Sequence, residues 1–256
     1  MNYQEAISFI QDTGWMGCKP GLKRIRELLD LLGNPQNNLK FIHIAGSNGK
    51  GSTSAMLSSI LTCAGYRTGL FTSPNLCRYN ERIKINNVDI SDEDLSSAAE
   101  KVSVAVKQMH DTPTEFERFT AIAFLHFQMC ACDIVVLEVG LGGRLDSTNV
   151  IPAPVLSIIT NIGLEHTDLL GDTLEKIAAE KAGIIKEGAS VILYEQSAQV
   201  ENVIRRKCAE CNCGLTVTDI AQEQLELLDM TGQTFSYRKR KNLRLNLLGT
   251  YQVYNV

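Results

Sequence analysis

Residues 41–52, Phe41-Ile42-His43-Ile44-Ala45-Gly46-Ser47-Asn48-Gly49-Lys50-Gly51-Ser52, run from a short apolar stretch into a glycine-rich one. Helix-compatible sequence from Thr53 to Ala64 follows and stops at Gly65. Strand, loop, helix is the context that a phosphate-binding loop requires. Glycines let the backbone curl so that several N–H groups face an anion, and the helix N-terminus adds partial positive charge. Lys50 is placed to bridge phosphates, and a hydroxyl from Ser52 or Thr53 to reach Mg2+. The spacing departs from the usual G-x4-G-K-[ST], because Gly51 stands between Lys50 and Ser52.

Working outward, Leu22, Ile25, Leu28, Leu29 and Leu32 form a helical stripe, with Gly33 positioned as a C-terminal cap and Pro35 just beyond. After the glycine loop the spacing predicts strands near Thr68–Phe71, Ile134–Glu138, Val155–Thr160 and Ser190–Tyr194. Helices are predicted over about Asp92–Met109, Phe119–Met129 and Leu174–Ile185. Strands alternating with helices imply an α/β fold, a mostly parallel sheet covered on both faces. Beyond the α/β core of about 1–213 the pattern changes. Leu215-Thr216-Val217, Thr234 to Tyr237 and Leu243 to Leu247 alternate at period two and predict a β-rich appendage over about 214–248. The basic run Arg238 to Lys241 reads as a solvated hairpin turn.

Charge and composition exclude several classes. The chain carries 25 Lys+Arg against 29 Asp+Glu, a net charge of −4, and offers no basic stripe for nucleic acid. No window approaches the roughly 18 uninterrupted apolar residues of a membrane span, and Met1 to Ile10 lacks the pattern of a leader. The expectation is a cytoplasmic protein with neither nucleic acid nor membrane as partner, and a monomer. The cysteines at 18, 63, 77, 130, 132, 208, 211 and 213 are too irregular for a disulfide framework. Cys208, Cys211 and Cys213 read either as free thiols at a helix end or as part of a zinc site, although no histidine lies near them in sequence.

Glu138 ends the apolar run Ile134 to Leu137, so a parallel sheet would place its carboxylate beside the glycine loop, where a metal ligand belongs. His166, beyond the apolar run ending at Thr160, stands in a similar position and could serve a second metal.

Seven stretches then fall into one pattern: GSNGKGS at 46–52, TSPN at 72–75, ERIKIN at 81–86, FERFTAIAF at 116–124, LEVGLGGRLDSTN at 137–149, TNIGLEHTDLLGDT at 160–173 and AEKAGIIK at 179–186. Together they resemble the folylpolyglutamate synthase / dihydrofolate synthase family of the Mur ligase superfamily. The resemblance implies that Gly46, Ser47, Asn48, Gly49, Lys50, Gly51, Ser52 and Thr53 hold the triphosphate of ATP. It implies Ser73 and Glu138 as ligands of one Mg2+ and His166 of a second. It also implies Lys181 as a lysine carbamylated by CO2, which turns a cation into an anion with the hard oxygens Mg2+ prefers. By resemblance, Asn149 with Arg144 and Asp146 belongs to the nucleotide or metal surroundings, and Gln252 and Asn255 lie near the adenine or a hinge. Arg82 looks like a substrate-side residue, and Phe116, Glu117 and Thr120 would help shape the acid or pterin pocket around the substrate. Two departures stand out: Asn75 and Tyr251 occupy places where the family shows histidine.

The activity implied is ATP-dependent addition of L-glutamate to a folate, to dihydropteroate, or to both, through an acyl phosphate. A free carboxylate is a poor electrophile, and transfer of the γ-phosphoryl group activates it without a protein nucleophile. The family's second domain, which contributes to the glutamate site, is expected to be absent from 1–256, leaving an ATP-binding domain inactive alone. A Mur-type ligase of peptidoglycan precursors and a nucleotide-binding module without turnover are the alternatives. The first shares the loop but does not account for FERFTAIAF or for Pro20-Gly21-Leu22-Lys23-Arg24-Ile25.

Overall fold

The computed structural model describes residues 1–13 and 20–256, so Cys18 lies outside the described residues. Helices α1 (Tyr3–Gln11) and α2 (Lys23–Leu31) precede strand β1 (Phe41–Ala45), which is buried at every position. The chain continues through α3 (Lys50–Cys63), β2 (Thr68–Phe71), β3 (Ile83–Ile85), β4 (Val88–Asp89), α4 (Asp92–Val106), α5 (Glu115–Met129), β5 (Ile134–Glu138) and β6 (Leu156–Ile159). Then come α6 (Thr167–Leu170), α7 (Leu174–Ala182), β7 (Ser190–Leu193), α8 (Ala198–Glu210) and β8 (Gly214–Val217).

These strands form one eight-stranded sheet in the order β4-β3-β2-β5-β1-β6-β7-β8. All neighbours from β2 to β8 pair in parallel, and β3 and β4 add antiparallel at one edge. The path leaves β1 toward β2 on one side and later returns to β6 on the other, so the order reverses at β1. A crevice at the carboxyl ends of β1, β5 and β6 follows from that reversal. A separate antiparallel sheet of β9 (Glu223–Asp229), β10 (Gly232–Tyr237) and β11 (Arg240–Leu245) lies near the C-terminus.

One boundary moves. Leu215 to Val217, read from sequence as part of the appendage, is β8 and pairs in register with β7, Val191 opposite Leu215. Its alternation reflects an edge strand half-buried on one face, with Leu215 and Val217 against the core. The basic run lies at the β10–β11 turn as expected, with Arg238 and Lys239 in the turn and Arg238 at φ 54°.

The two faces of β1 pack differently. Phe41 meets Phe124 of α5 edge-on with ring centroids 5.6 Å apart, inside a core that α1, α2, α4 and α5 share. Ile42 and Ile44 point the other way, with Leu57 and Leu61 of α3 packed against their cluster. No helix among the described residues is long and apolar enough to cross a membrane.

Helix α5 runs one turn further back than its apolar stretch, because Thr114 and Glu117 form a capping box at its start. Glu117, 2% exposed, also accepts a 3.0 Å bond from Arg24 Nε of α2. Removing Glu117 takes away the buried acid that faces Arg24 and the half of the capping box in which Thr114 N–H donates to Glu117. Glu117→Ala should lower the unfolding free energy by about 3 kcal/mol in urea titrations, within the range for a broken buried pair.

Candidate active site

Three loops leave the carboxyl ends of β1, β5 and β6 and line a cavity of about 1070 Å³. The glycine loop of β1 lies flush against the end of β6. A Cβ at residue 46 would stand 1.8 Å from Thr160 Oγ1, so only glycine fits there. Thr160 donates its hydroxyl to Asn48 O at 2.8 Å, and the Ser47 hydroxyl both donates to Gly163 O and accepts from Gly163 N–H at 3.0 Å. Lys50 opens α3 and bonds Gly46 O at 2.9 Å, with Ser47 O at 3.4 Å. Ser52 is half-buried on the first turn of α3, and Thr53 donates to Asn255 O at 2.8 Å. Asn255 reaches Gly49 and donates to Gln252 Oε1 at 2.9 Å. Thus 46–53 and 252–255, far apart in sequence, meet at the N-terminus of α3.

Glu138, at the end of β5, is 3% exposed and accepts a 3.3 Å bond from Ser73 N–H. Burial pushes its carboxyl up to about 7, against the pull of Lys50 and of the Ser73 bond. It lies 3.6 Å from where a Cβ on Gly51 would be, so the acid stands beside the loop. Arg82 is 6% exposed and stacks its guanidinium 4.4 Å from the Phe119 ring centroid and 5.5 Å from that of Phe116. Burial draws Arg82 below its ordinary range, and the ring faces offset that cost. Phe116 lies against Gly140, where a Cβ would stand 2.5 Å from its ring. Ser73, Arg82 and Phe116 all line the cavity.

At the far side Lys181 of α7 is 1% exposed and forms a 2.5 Å ion pair with Glu165. Burial lowers the Lys181 ammonium, partly countered by Glu165. His166 caps α6, is exposed and lines the same cavity. Glu165 escaped the sequence reading although it directly precedes His166. Glu115 and Asp146 also line the cavity. The signal for Glu115 was the helix start just before Phe116.

Three of the residues singled out in the sequence lie behind the cavity wall. Glu117 faces Arg24 and caps its helix, so it is unavailable to a substrate. Thr120 is fully buried and donates back to Phe116 O at 2.7 Å, which positions Phe116 from behind. Asn149 is 8% exposed and donates to Arg144 O at 3.2 Å and Gly183 O at 3.0 Å, stitching two loops together instead of facing a nucleotide. Among the described residues no group of three or more His, Cys, Asp or Glu is placed to hold a metal. Cys213 donates to Lys186 O at 3.0 Å and Cys211 to Ile185 O at 3.7 Å, so that cluster is one of free thiols.

Comparison with known proteins agrees with this geometry. The family model for the Mur ligase middle domain matches residues 44–256. The dihydrofolate synthase/folylpolyglutamate synthase of Bacillus subtilis is 40% identical over 263 residues, covering 99% of this chain and 61% of that protein. The chain therefore spans about three fifths of the length of that curated relative. A solved FPGS–AMPPCP–folate complex superposes with a TM-score of 0.92 at 36% identity, over 100% of this chain and 64% of that one. E. coli FolC in complex with DHPP and ADP gives a TM-score of 0.84 at 30% identity, over 100% and 60%.

Glu138 carries a pH signature. A carboxyl raised from 4.5 to about 7 keeps its proton in the folded chain where the unfolded chain has released it. The stability this confers is present below the unfolded value and is lost as pH rises through the folded one. Glu138→Gln removes that titration. Without divalent cations, wild type should lose about 2.5 kcal/mol relative to Glu138→Gln between about pH 5 and about pH 8 in urea unfolding.

Proposed function

The chain belongs to the folylpolyglutamate synthase / dihydrofolate synthase family of Mur-type ligases, and from that premise we propose that it binds ATP and a folate-class acid in an ATP-dependent ligase adding L-glutamate to that acid. The observation that carries this reading is the shared cavity. The glycine loop with Lys50 forms one wall, the buried Glu138 stands beside it, and Arg82 with Phe116 forms the other wall. Relatives solved with AMPPCP and folate, or with DHPP and ADP, support the same pairing of ligands. Phe116 and the stacked Arg82 present a flat, cationic surface suited to an aromatic acid.

Lys50 and the 46–52 backbone are assigned to the phosphates, Gln252 and Asn255 to the nucleoside side. Mg2+ fits Glu138. That carboxylate is buried, with no ion pair to it among the described residues, and Mg2+ commonly takes one or two protein oxygens and completes its shell with phosphate and water. Ser73 supplies a neighbouring hydroxyl, and bound Mg2+ would supply positive charge to the phosphates. His166 and Lys181 are assigned to a second such ion. An ammonium would repel a cation, so this assignment requires Lys181 as its carbamate. Burial favours that chemistry, since the neutral amine is the form that reacts with CO2. The protein's own part in turnover is to hold the acid and the γ-phosphoryl group in line, with Lys50 neutralising charge as it moves. A monomer is the state proposed, and ATP together with free thiols favours the cytoplasm.

The test is a glutamylation assay on the complete reading frame containing these residues, with Mg-ATP, glutamate and either dihydropteroate or tetrahydrofolate. Product mass should increase by one glutamyl residue, and the acid used names the activity. No gain on either acid would overturn the folate reading. Lys50→Ala should weaken Mg-ADP binding by about 10- to 100-fold in calorimetry, the worth of one charged contact. In labelled bicarbonate, the chain should give one carbamate carbon signal that Lys181→Arg abolishes, and its absence from the wild type would remove the second metal assignment.

A further inference from the structure

His43 sits in the middle of the central strand, fully buried, with no contact to the cavity. Its Nε2 lies 2.9 Å from Thr148 Oγ1, and that hydroxyl in turn lies 2.5 Å from Asp146 Oδ1. Asp146 also accepts Thr148 N–H on Oδ1 and Leu141 N–H on Oδ2, both at 2.9 Å, and Gly140 N–H. Burial pushes the Asp146 carboxyl up, against the pull of these donors, but both of its oxygens already accept backbone N–H groups, and Oδ1 stands as the acceptor for the Thr148 hydroxyl proton. Thr148 Oγ1 is then left as an acceptor, and His43 Nε2 carries the hydrogen it receives. This tautomer accounts for His43 Nδ1, a buried nitrogen without a hydrogen-bond partner, as an unprotonated atom in an apolar core. Burial holds the ring neutral, at about 3.

We infer that His43 and Thr148 are positioning residues that orient the Asp146 carboxylate and thereby fix the Gly140–Gly143 loop against Phe116 on the acid side of the cavity. The loop contains three glycines in four residues and has little stiffness of its own. Its amides at 140 and 141 are held by one carboxylate, and that carboxylate is held from behind by the His43–Thr148 pair. Because Phe116 rests on Gly140 with no room for a methyl group, a shift of this loop is a shift of the aromatic wall. The loop-fixing role stands on geometry alone. Its consequence for an acid ligand rests on the function proposed above.

Thr148→Val removes the hydroxyl with little change of shape, and Thr148→Ser retains it. Amide hydrogen exchange should rise about tenfold or more at Gly140 and Leu141 in Thr148→Val, while the sheet amides of β1 and β5 stay protected and Thr148→Ser matches wild type. The nitrogen shifts of His43 should report the Nε2–H tautomer. Unchanged protection at 140 and 141, a uniform rise throughout the sheet, or an Nδ1–H ring would overturn the relay. In a parallel arm, Thr148→Val should weaken dihydropteroate binding about tenfold with Mg-ADP affinity within about twofold of wild type. Equal loss of both ligands would overturn the acid-side placement. Failure of the wild type to bind dihydropteroate would count against the proposed substrate, while the exchange result would still decide the relay.

Discussion

The site depends on one close approach, that of the β1 loop to the end of β6. Thr160 Oγ1 occupies the place where a side chain on residue 46 would begin. Its backbone N–H bonds Ala45 O at 2.8 Å, so the two chain segments are locked together just where they leave the sheet. The register of β1 with β6, Ala45 opposite Ile159, brings Thr160 to that point. A slip of one residue would turn Thr160 to the other face and leave the loop without its support. The Ser47–Gly163 pair extends the lock, and the segment carrying Glu165 and His166 continues from it. The glycine loop and the β6 loop are therefore one unit, and Lys50 and Glu165, the acid paired with Lys181, reach one cavity because the sheet holds both loops.

At the cavity wall and just behind it, burial moves charged groups toward neutrality. Glu138 rises, while Arg82 and Lys181 fall, each with burial as the largest cause. Each group found a different partner. Arg82 lies over aromatic faces, Lys181 meets a carboxylate at 2.5 Å, and Glu138 has one backbone N–H and more distant cations. Buried charges that are incompletely paired weaken a fold. The phenylalanine-rich core beneath α5 and the separate core around α7 hold them in place, and an arriving anion or cation meets groups already stripped of water.

Much of this was legible in the sequence. The strand at 134–138 and the phosphate-type loop fell where the apolar runs and glycines put them, and the family resemblance brought Lys50, Glu138, Arg82, Lys181 and His166 together. The errors share a cause. A motif names neighbours collectively, and a helix separates them: Phe116, Glu117 and Thr120 stand on one helix, yet only Phe116 lines the cavity. A step of about 100° turns Glu117 toward α2, and Thr120 spends its hydroxyl on the turn behind it. The β9 segment Glu223–Asp229 was missed for the opposite reason, since its leucines at 225, 227 and 228 do not alternate cleanly. Pairing with β10, including a register shift between Thr234 and Phe235, makes it a strand.

The lysines show how far residue type alone falls short. Lys50, Lys181 and Lys186 all belong to the stretches that carry the resemblance, and all three are at least half withdrawn from water. Lys50 bonds two loop carbonyls where an anion would replace them. Lys186 also bonds carbonyls, those of Asn149 and Ile151, and burial holds it at about 8. Its carbonyls close a structural turn and are not part of the cavity lining, so the same chemistry there serves the fold. Lys181 alone meets an acid in the cavity wall. What separates the three is the place at which each element leaves the sheet, so topology decides which cation can meet a ligand and which one only holds the chain together.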